Sequence, residues 1–280
     1  MIHRTQGTLR YRNEPASPAA HQLEAEGYCM VRGVFTADEV DALKSDIDRV
    51  YDEYPVDRRG PDEKAWSMFR YQMLNRSAPC QDACAHPRVL EVLEPLLGED
   101  CHVISNTAWR NPPMAEKSHL PVPWHIDAGP HVPLPEGTIW PENIPHPVFA
   151  VGVHIYLQDC DLADGPTAVV PRSHLSGRVP PRMDPSSTAL SFAGKSPVAL
   201  VAAAGDVGFF VSDIWHRRLP TLDGDSGRYF LQVHYGRRDI AQRLLISEDC
   251  HQLSDAAFDR AQSERGKTVV GLHPRRFYDG

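Results

Sequence analysis

From residue 101 to about residue 238 the chain is a series of short apolar runs, each closed by Pro, Gly or Asp. They are CHVISNTAW, VFAVGVHIYL, TAVVP, PVALVAAAGDVGFFV and GRYFLQVHY. Runs of this length, with no helix period between them, make the strands of a β-sandwich or barrel. No repeat of fixed period is visible, which sets aside a solenoid or propeller. The preceding hundred or so residues have a different pattern. Thr36 and Glu39 form a capping box, and Val40, Leu43, Ile47, Val50 and Tyr51 recur at helical spacing up to Tyr54. Pro87 and Gly98 bracket a second helix with a stripe of Val89, Leu90, Leu93, Leu96 and Leu97. EGYCMVRGVF (26–35) reads as a strand between glycines. Helices first and strands afterwards imply a mostly β protein, with one jelly-roll core and helices packed outside it.

The expected organisation is a single domain over 1–280: a loose arm (1–20), helical support (21–100), the core (101–240) and a C-terminal extension (241–280). The net charge of −8 and the lack of any Lys/Arg run give no nucleic-acid footprint. Neither a signal-peptide pattern nor a membrane-length apolar stretch is present. The six cysteines, at 29, 80, 84, 101, 160 and 250, fit neither a zinc ribbon nor a disulfide framework. These features together predict a cytoplasmic protein whose partner is a small molecule, and not a nucleic acid or a membrane.

Fourteen histidines are present, and the question is which of them converge with a carboxylate. In WHID, His125 and Asp127 are two apart, so on an extended chain both point to one side. The same H-x-D pattern also arises by accident, so it needs a second element. In GDVGFFVSDIWHRRLP, period-2 alternation puts Phe210, Ser212, Ile214 and His216 on one face. In the next run Arg228, Phe230, Gln232 and His234 share a face, and Tyr229, Leu231 and Val233 share the other. The mixed arginine face suits a cavity wall, although a polar face turned to solvent has the same pattern. The apolar face needs a cover, which the N-terminal helices can supply.

Two neutral imidazoles and one carboxylate hold a divalent ion on one triangular face and leave three positions open, as expected of non-haem iron(II) oxygenases. A 2-oxo acid fills two of these positions and O₂ the third. The far carboxylate of that acid needs a permanently charged bidentate partner, and Arg228 has the right chemistry. Zinc hydrolysis by the same three ligands is conceivable, but it gives Arg228 no task.

WHID, DGPTAVVPRSHLSGR (164–178), AGDVGFFVSDIWHRRLP (204–220) and the arginine strand occur in an order and at separations that resemble the phytanoyl-CoA dioxygenase family of iron(II)/2-oxoglutarate-dependent oxygenases. The resemblance spans roughly residues 26–238. It implies a double-stranded β-helix (a jelly roll, cupin-like), with iron(II) on His125, Asp127 and His216 and 2-oxoglutarate clamped by Arg228. O₂ is the third reactant. It also places Thr107 and His154 beside the co-substrate; relatives often have tryptophan at the second position. The implied reaction oxidises, by default hydroxylates, an unactivated C–H of a small molecule, releasing succinate and CO₂. Natural-product intermediates are the favoured substrate group. Asp127 argues against a halogenase, because relatives that transfer chloride lack this carboxylate.

Several positions depart from the family's pattern. Arg172 replaces the glycine of the usual P-G-S-H turn, and Ile126 stands where glutamine is common. Arg217 and Arg218 follow the distal histidine where small or hydroxyl residues are frequent, and Thr221 stands where asparagine often does. Two proline-rich connections, 128–147 and 171–187, read as binding loops or as plain surface insertions. In or beside them, Trp140, His131, His146, Arg172, Arg178 and Arg182 are candidates for substrate contact. A cupin-type metal-dependent isomerase or hydrolase, a non-catalytic ligand-binding member of the fold, and an oxygenase needing no 2-oxo acid remain the alternatives.

Overall fold

The computed structural model describes residues 2–5, 8–11, 17–54, 69–113, 122–127, 129–183, 190–242 and 253–273. Ala128 and residues 184–187 of the two proline-rich connections lie outside the described residues, as do 243–252 and 274–280 of the C-terminal extension.

Strands β1 (Ile2–Thr5) and β2 (Thr8–Tyr11) pair as an antiparallel hairpin. A helix follows over Pro18–Glu26, inside the segment expected as an arm and the start of the support. Ser17 caps it by accepting the Ala20 N–H at 3.3 Å, and Gly27 ends it in the left-handed region at φ 80°. The expected strand at 26–35 therefore shortens to β3 (Tyr28–Val31). Beyond it the chain turns, and the Gly33 N–H donates to Asp206 Oδ1 at 2.8 Å.

The helix over Ala37–Glu53 carries the expected capping box, and its stripe of Val40, Leu43, Ile47, Val50 and Tyr51 is buried. After β4 (Phe69–Tyr71) come two short helices that the sequence pattern did not distinguish, Met73–Arg76 and Ala78–Cys84. The helix over Pro87–Leu97 has the expected limits and buries its stripe. The core strands are β5 (His102–Asn111), β6 (Ala150–Tyr156), β7 (Thr167–Val169), β8 (Val198–Ala199), β9 (Val207–Val211), β10 (His216–Arg218) and β11 (Arg228–Gly236). Helices Asp255–Arg260 and Glu264–Val269, capped by Ser254 and Ser263, follow in the C-terminal segment.

The larger sheet has the antiparallel order β3-β9-β6-β11-β5-β4, and the smaller has β10-β7-β8. His125 extends the smaller sheet through an antiparallel bridge to His216. This is the jelly-roll arrangement, mostly β with helices on one side. Among the described residues no helix is long and apolar enough to cross a membrane.

The two faces of β11 have different surroundings. Tyr229, Leu231, Val233 and Tyr235 join Val151, Val153, Ile155, Val207 and Phe209 in one buried apolar cluster. The helices close it with Leu43, Ile47, Val50, Leu93 and Leu97. They are the cover that the apolar face required. On the opposite face, register places Gln232 between Thr107 and His154, and Phe230 between Trp109 and Tyr156.

Leu231 is fully buried in this cluster. Leu231→Ala is expected to lower unfolding free energy by about 2–5 kcal/mol in urea denaturation. A second expectation concerns pH. Burial, reinforced by His146, pushes His174 down to about 3 from 6.5. The unfolded chain takes up this proton first, so stability present above about pH 6.5 is lost as pH falls. The urea midpoint should drop between about pH 7 and pH 5, less steeply in His174→Asn.

Candidate metal centre and co-substrate pocket

The candidate centre starts from a backbone bridge. The His125 N–H donates to His216 O at 3.0 Å, and the His216 N–H donates to His125 O at 2.9 Å. One bond further on, the Asp127 N–H donates to Ser212 O at 3.2 Å. The bridge brings two segments some ninety residues apart into register, with their rings 4.3 Å apart.

Each ring is then oriented by its own chain. His125 Nδ1–H donates to Pro123 O at 2.8 Å, and His216 Nδ1–H donates to Ile214 O at 3.0 Å. A carbonyl can only accept, so both Nδ1 atoms carry the proton and both Nε2 lone pairs are left for another partner. Asp127 Oδ1 lies 3.4 Å from His216 Nε2. One donor atom from each of the three residues fits within a mutual 4.8 Å. This donor set, two imidazole nitrogens and one carboxylate oxygen, suits a divalent transition metal with open positions.

Burial works against charge on Asp127, but His216 and His234 outweigh it and hold the carboxyl well below its usual range. Burial, then neighbouring His216, lowers His125 and favours its neutral form. His216 moves upward, since Asp127 overcomes the opposing effect of burial.

His234 was not assigned a role from sequence. Its Nε2–H donates to Asp127 Oδ2 at 3.0 Å, and its Nδ1 meets the Ser105 hydroxyl at 3.2 Å. The only advance signal was alternation, which placed it on the face of Arg228.

The larger sheet supplies the facing wall. Arg228 is buried, with Nη1 donating to Gly165 O at 3.2 Å and Nη2 to Asn111 Oδ1 at 3.4 Å. Its Nε has no partner, and no carboxylate among the described residues pairs with it. Burial first, and then nearby Arg218, push the guanidinium down to about 9. A buried cation lacking an anionic partner fits a ligand carboxylate. Thr107 and His154 are both buried and flank Gln232. The His154 ring packs 4.6 Å from Phe230 and 5.1 Å from Phe210, and its Nε2 is buried without a partner. Burial, then Arg228, keep it neutral, well below the ordinary histidine range. Trp109 stacks on Phe230, and its Nε1–H donates to Gln232 Oε1 at 2.8 Å.

The four residues expected to touch substrate lie in the two proline-rich loops, each with a protein contact. The Asp213 carboxylate accepts both the backbone N–H and the ring Nδ1–H of His131. Arg172 pairs with Glu142 at 2.8 Å, and Arg178 donates to Pro135 O at 3.0 Å and Thr138 O at 3.2 Å. Trp140 Nε1–H donates to Ile144 O at 2.7 Å, while its backbone N–H donates to Leu175 O at 2.9 Å. Neighbouring His146 is buried, edge-on to Trp140 and His174. Arg172, Arg178 and the Trp140 backbone therefore join one loop to the other, whereas His131 ties the first loop to Asp213.

The chain matches the family described as phytanoyl-CoA dioxygenase (PhyH) over residues 23–220. Among solved structures it is similar to SnoK, a non-haem alpha-ketoglutarate-dependent carbocyclase from nogalamycin biosynthesis. The two are 20% identical, with 84% of this chain and 88% of SnoK covered at a TM-score of 0.61. EctD from S. alaskensis, solved with 2-oxoglutarate and 5-hydroxyectoine, is 16% identical; 88% of this chain and 85% of EctD are covered at 0.60. HygX from Streptomyces hygroscopicus, solved with nickel and 2-oxoglutarate, is 16% identical; 84% of this chain and 93% of HygX are covered at 0.57. At these identities the likeness establishes the fold. No curated protein sequence matches the chain.

Outer contacts that orient a ligand are commonly worth ten- to a hundredfold in metal affinity. His234→Ala is expected to weaken iron(II) binding by about tenfold or more in anaerobic competition with a chelator, with part of the loss recovered in His234→Gln. Unchanged affinity would mean that Asp127 needs no help from β11.

Proposed function

The chain belongs to the phytanoyl-CoA dioxygenase (PhyH) family of iron(II)- and 2-oxoglutarate-dependent oxygenases, and on that premise we propose that it hydroxylates an unactivated C–H of a small molecule. Iron and 2-oxoglutarate supply the oxygen activation, with 2-oxoglutarate leaving as succinate and CO₂. In this reading His125, Asp127 and His216 hold the metal on one face. Asp127 remains ionised because two histidines stabilise its charge, and the two imidazoles present Nε2 because backbone carbonyls hold their Nδ1 protons.

The observation that carries the reading is the buried Arg228, unpaired with any carboxylate among the described residues, on the sheet facing the three donors. It anchors the far carboxylate of 2-oxoglutarate. Thr107 and His154 line the same wall, and the neutral His154 adds no competing charge beside the arginine. The aromatic set of Trp109, Phe230 and Tyr156 keeps water from this end. The stapled loops of His131, Trp140, Arg172 and Arg178 frame the substrate entrance. The guanidinia of Arg172 and Arg178 are used between the loops, so they shape the opening without forming an anion site.

A natural-product intermediate is the substrate group this reading favours. SnoK comes from nogalamycin biosynthesis, and HygX has been solved with hygromycin B. The five described cysteines are all buried free thiols, in keeping with the reducing conditions of the cytoplasm.

Anaerobic addition of 2-oxoglutarate to the iron(II)-loaded protein should produce a visible charge-transfer band, and Arg228→Ala should weaken that binding by at least about tenfold. With air, 2-oxoglutarate should be converted to succinate. Metabolite profiling of a gene-deletion strain should find an accumulated compound that the enzyme converts to a product one oxygen heavier. A product of unchanged oxygen content would replace hydroxylation with ring formation, epimerisation or desaturation. An iron(II)-loaded protein that neither gives the band nor consumes 2-oxoglutarate would remove the proposal.

A further inference from the structure

The middle of the pocket wall presents a hydrogen-bond donor with no acceptor among the described residues. Gln232 lies on β11 between Thr107 and His154, on the face that also carries Arg228 and His234. Its neighbours Leu231 and Val233 are fully buried on the helix-covered side, whereas Gln232 is half-buried, so its open side is the cavity. Along the strand it stands two residues, about 7 Å, from His234 and four residues, about 13 Å, from Arg228. His234 holds Asp127 Oδ2 at 3.0 Å, which puts Gln232 nearer the metal end of the wall than the arginine end.

Trp109 decides which way the amide faces. An indole N–H can only donate, and this one donates to Gln232 Oε1 at 2.8 Å. The Trp109 ring is itself held, stacked on Phe230 at 5.9 Å and tilted against Phe69 at 4.9 Å. With Oε1 engaged, Nε2 keeps two N–H groups that no acceptor among the described residues meets. Asp127 Oδ2 is taken by His234, and His154 Nε2, on the neighbouring strand, has no partner at all. An amide with its acceptor tied and its donors free fits a ligand that brings an acceptor. A carboxylate takes the stronger, charge-assisted bond. Of the two carboxylates of a 2-oxo diacid, the far one belongs to Arg228. The C1 carboxylate lies at the metal end, and chelation through it and the 2-oxo group uses only one of its oxygens.

We propose that Gln232 Nε2–H donates to the remaining oxygen of the co-substrate's C1 carboxylate, with Trp109 as the positioning residue that holds the amide in that sense. The proposal rests on the co-substrate reading above. It divides the wall's work: Arg228 selects for the far carboxylate, and Gln232 serves the end that every 2-oxo acid shares.

The test is an anaerobic titration of iron(II)-loaded protein, following the charge-transfer band with 2-oxoglutarate and, separately, with monocarboxylic 2-oxobutyrate. Gln232→Glu keeps the shape and the acceptor for Trp109 but removes the donor. It is expected to raise the Kd of both acids by the same factor, about tenfold or more, and to move the band maximum. Gln232→Met, neutral and without a donor, should show a loss of the same kind, which separates the missing donor from the added charge. Trp109→Phe, which keeps the ring stack, should give a smaller loss for both acids, whereas Arg228→Ala should weaken 2-oxoglutarate alone. Unchanged Kd values in both Gln232 variants, or losses confined to 2-oxoglutarate, overturn the C1 contact and leave Arg228 and the co-substrate reading intact. A Trp109→Phe protein that binds both acids like wild type removes the positioning role. Failure of wild type to bind 2-oxoglutarate overturns the co-substrate reading as well.

Discussion

Side-chain alternation along Arg228–Gly236 divides the molecule into a part that provides stability and a part that can do chemistry. Leu231, Val233 and Tyr235 are fully buried on the side covered by helices, so a one-residue slip of this strand would put them into the pocket and Gln232 and His234 into the core. The two flanking strands lock that register by pairing along most of its length. The arginine at one end of the strand and the histidine bound to Asp127 near the other are thus fixed relative to each other by hydrophobic burial. A rigid core strand is a better support for a metal centre and a co-substrate clamp than a loop.

The charges in the site follow from the same division. A buried guanidinium with no carboxylate partner loses several kcal/mol of hydration that the protein itself does not restore. Such a residue adds little to folding stability. It becomes useful when a carboxylate arrives, because the desolvation has already been met and the attraction acts in a medium of low dielectric. At the other end, Asp127 keeps its charge through two histidines, while His125 stays neutral through burial. Each departure from ordinary solution behaviour suits a group that is to meet a metal or an anion.

Much of this was legible before any coordinates, because period-2 alternation is robust wherever one face is apolar. The Arg228 face, the H-x-D pair and the need for a helical cover all follow from that one periodicity. Short elements with few buried positions were not legible. The helix over Pro18–Glu26 buries only Ala20 and Leu23, which is too little to form a stripe. The run PVALVAAAGDVGFFV looked continuous, yet it divides into β8 and β9 around a turn at Gly205, whose φ of +89° is an L-residue's disfavoured region. His234 was hidden for a different reason. Its function depends on Asp127, more than a hundred residues away in sequence, and alternation says which face a residue takes but not what waits there.

The loop junction explains why family membership does not carry a substrate with it. Arg172 occupies a left-handed conformation at φ 67°, where the family's usual residue is glycine. For a residue with a Cβ, that backbone costs about 1 kcal/mol or more. The long side chain offers something in return, an ion pair to Glu142 across the junction, and Arg178 adds two hydrogen bonds to the same loop. Gly177, at φ +58°, packs so closely that a Cβ there would meet Val132 O at 2.6 Å, so the loops are in contact through backbone as well as side chains. A glycine at position 172 would relieve the strain and give up the Glu142 contact, leaving the first loop less tightly held. The position of that loop therefore depends in part on Arg172, a residue in which this chain departs from the family's pattern. The candidate metal donors and the arginine strand, by contrast, rest on backbone bridges and sheet register that the fold itself imposes.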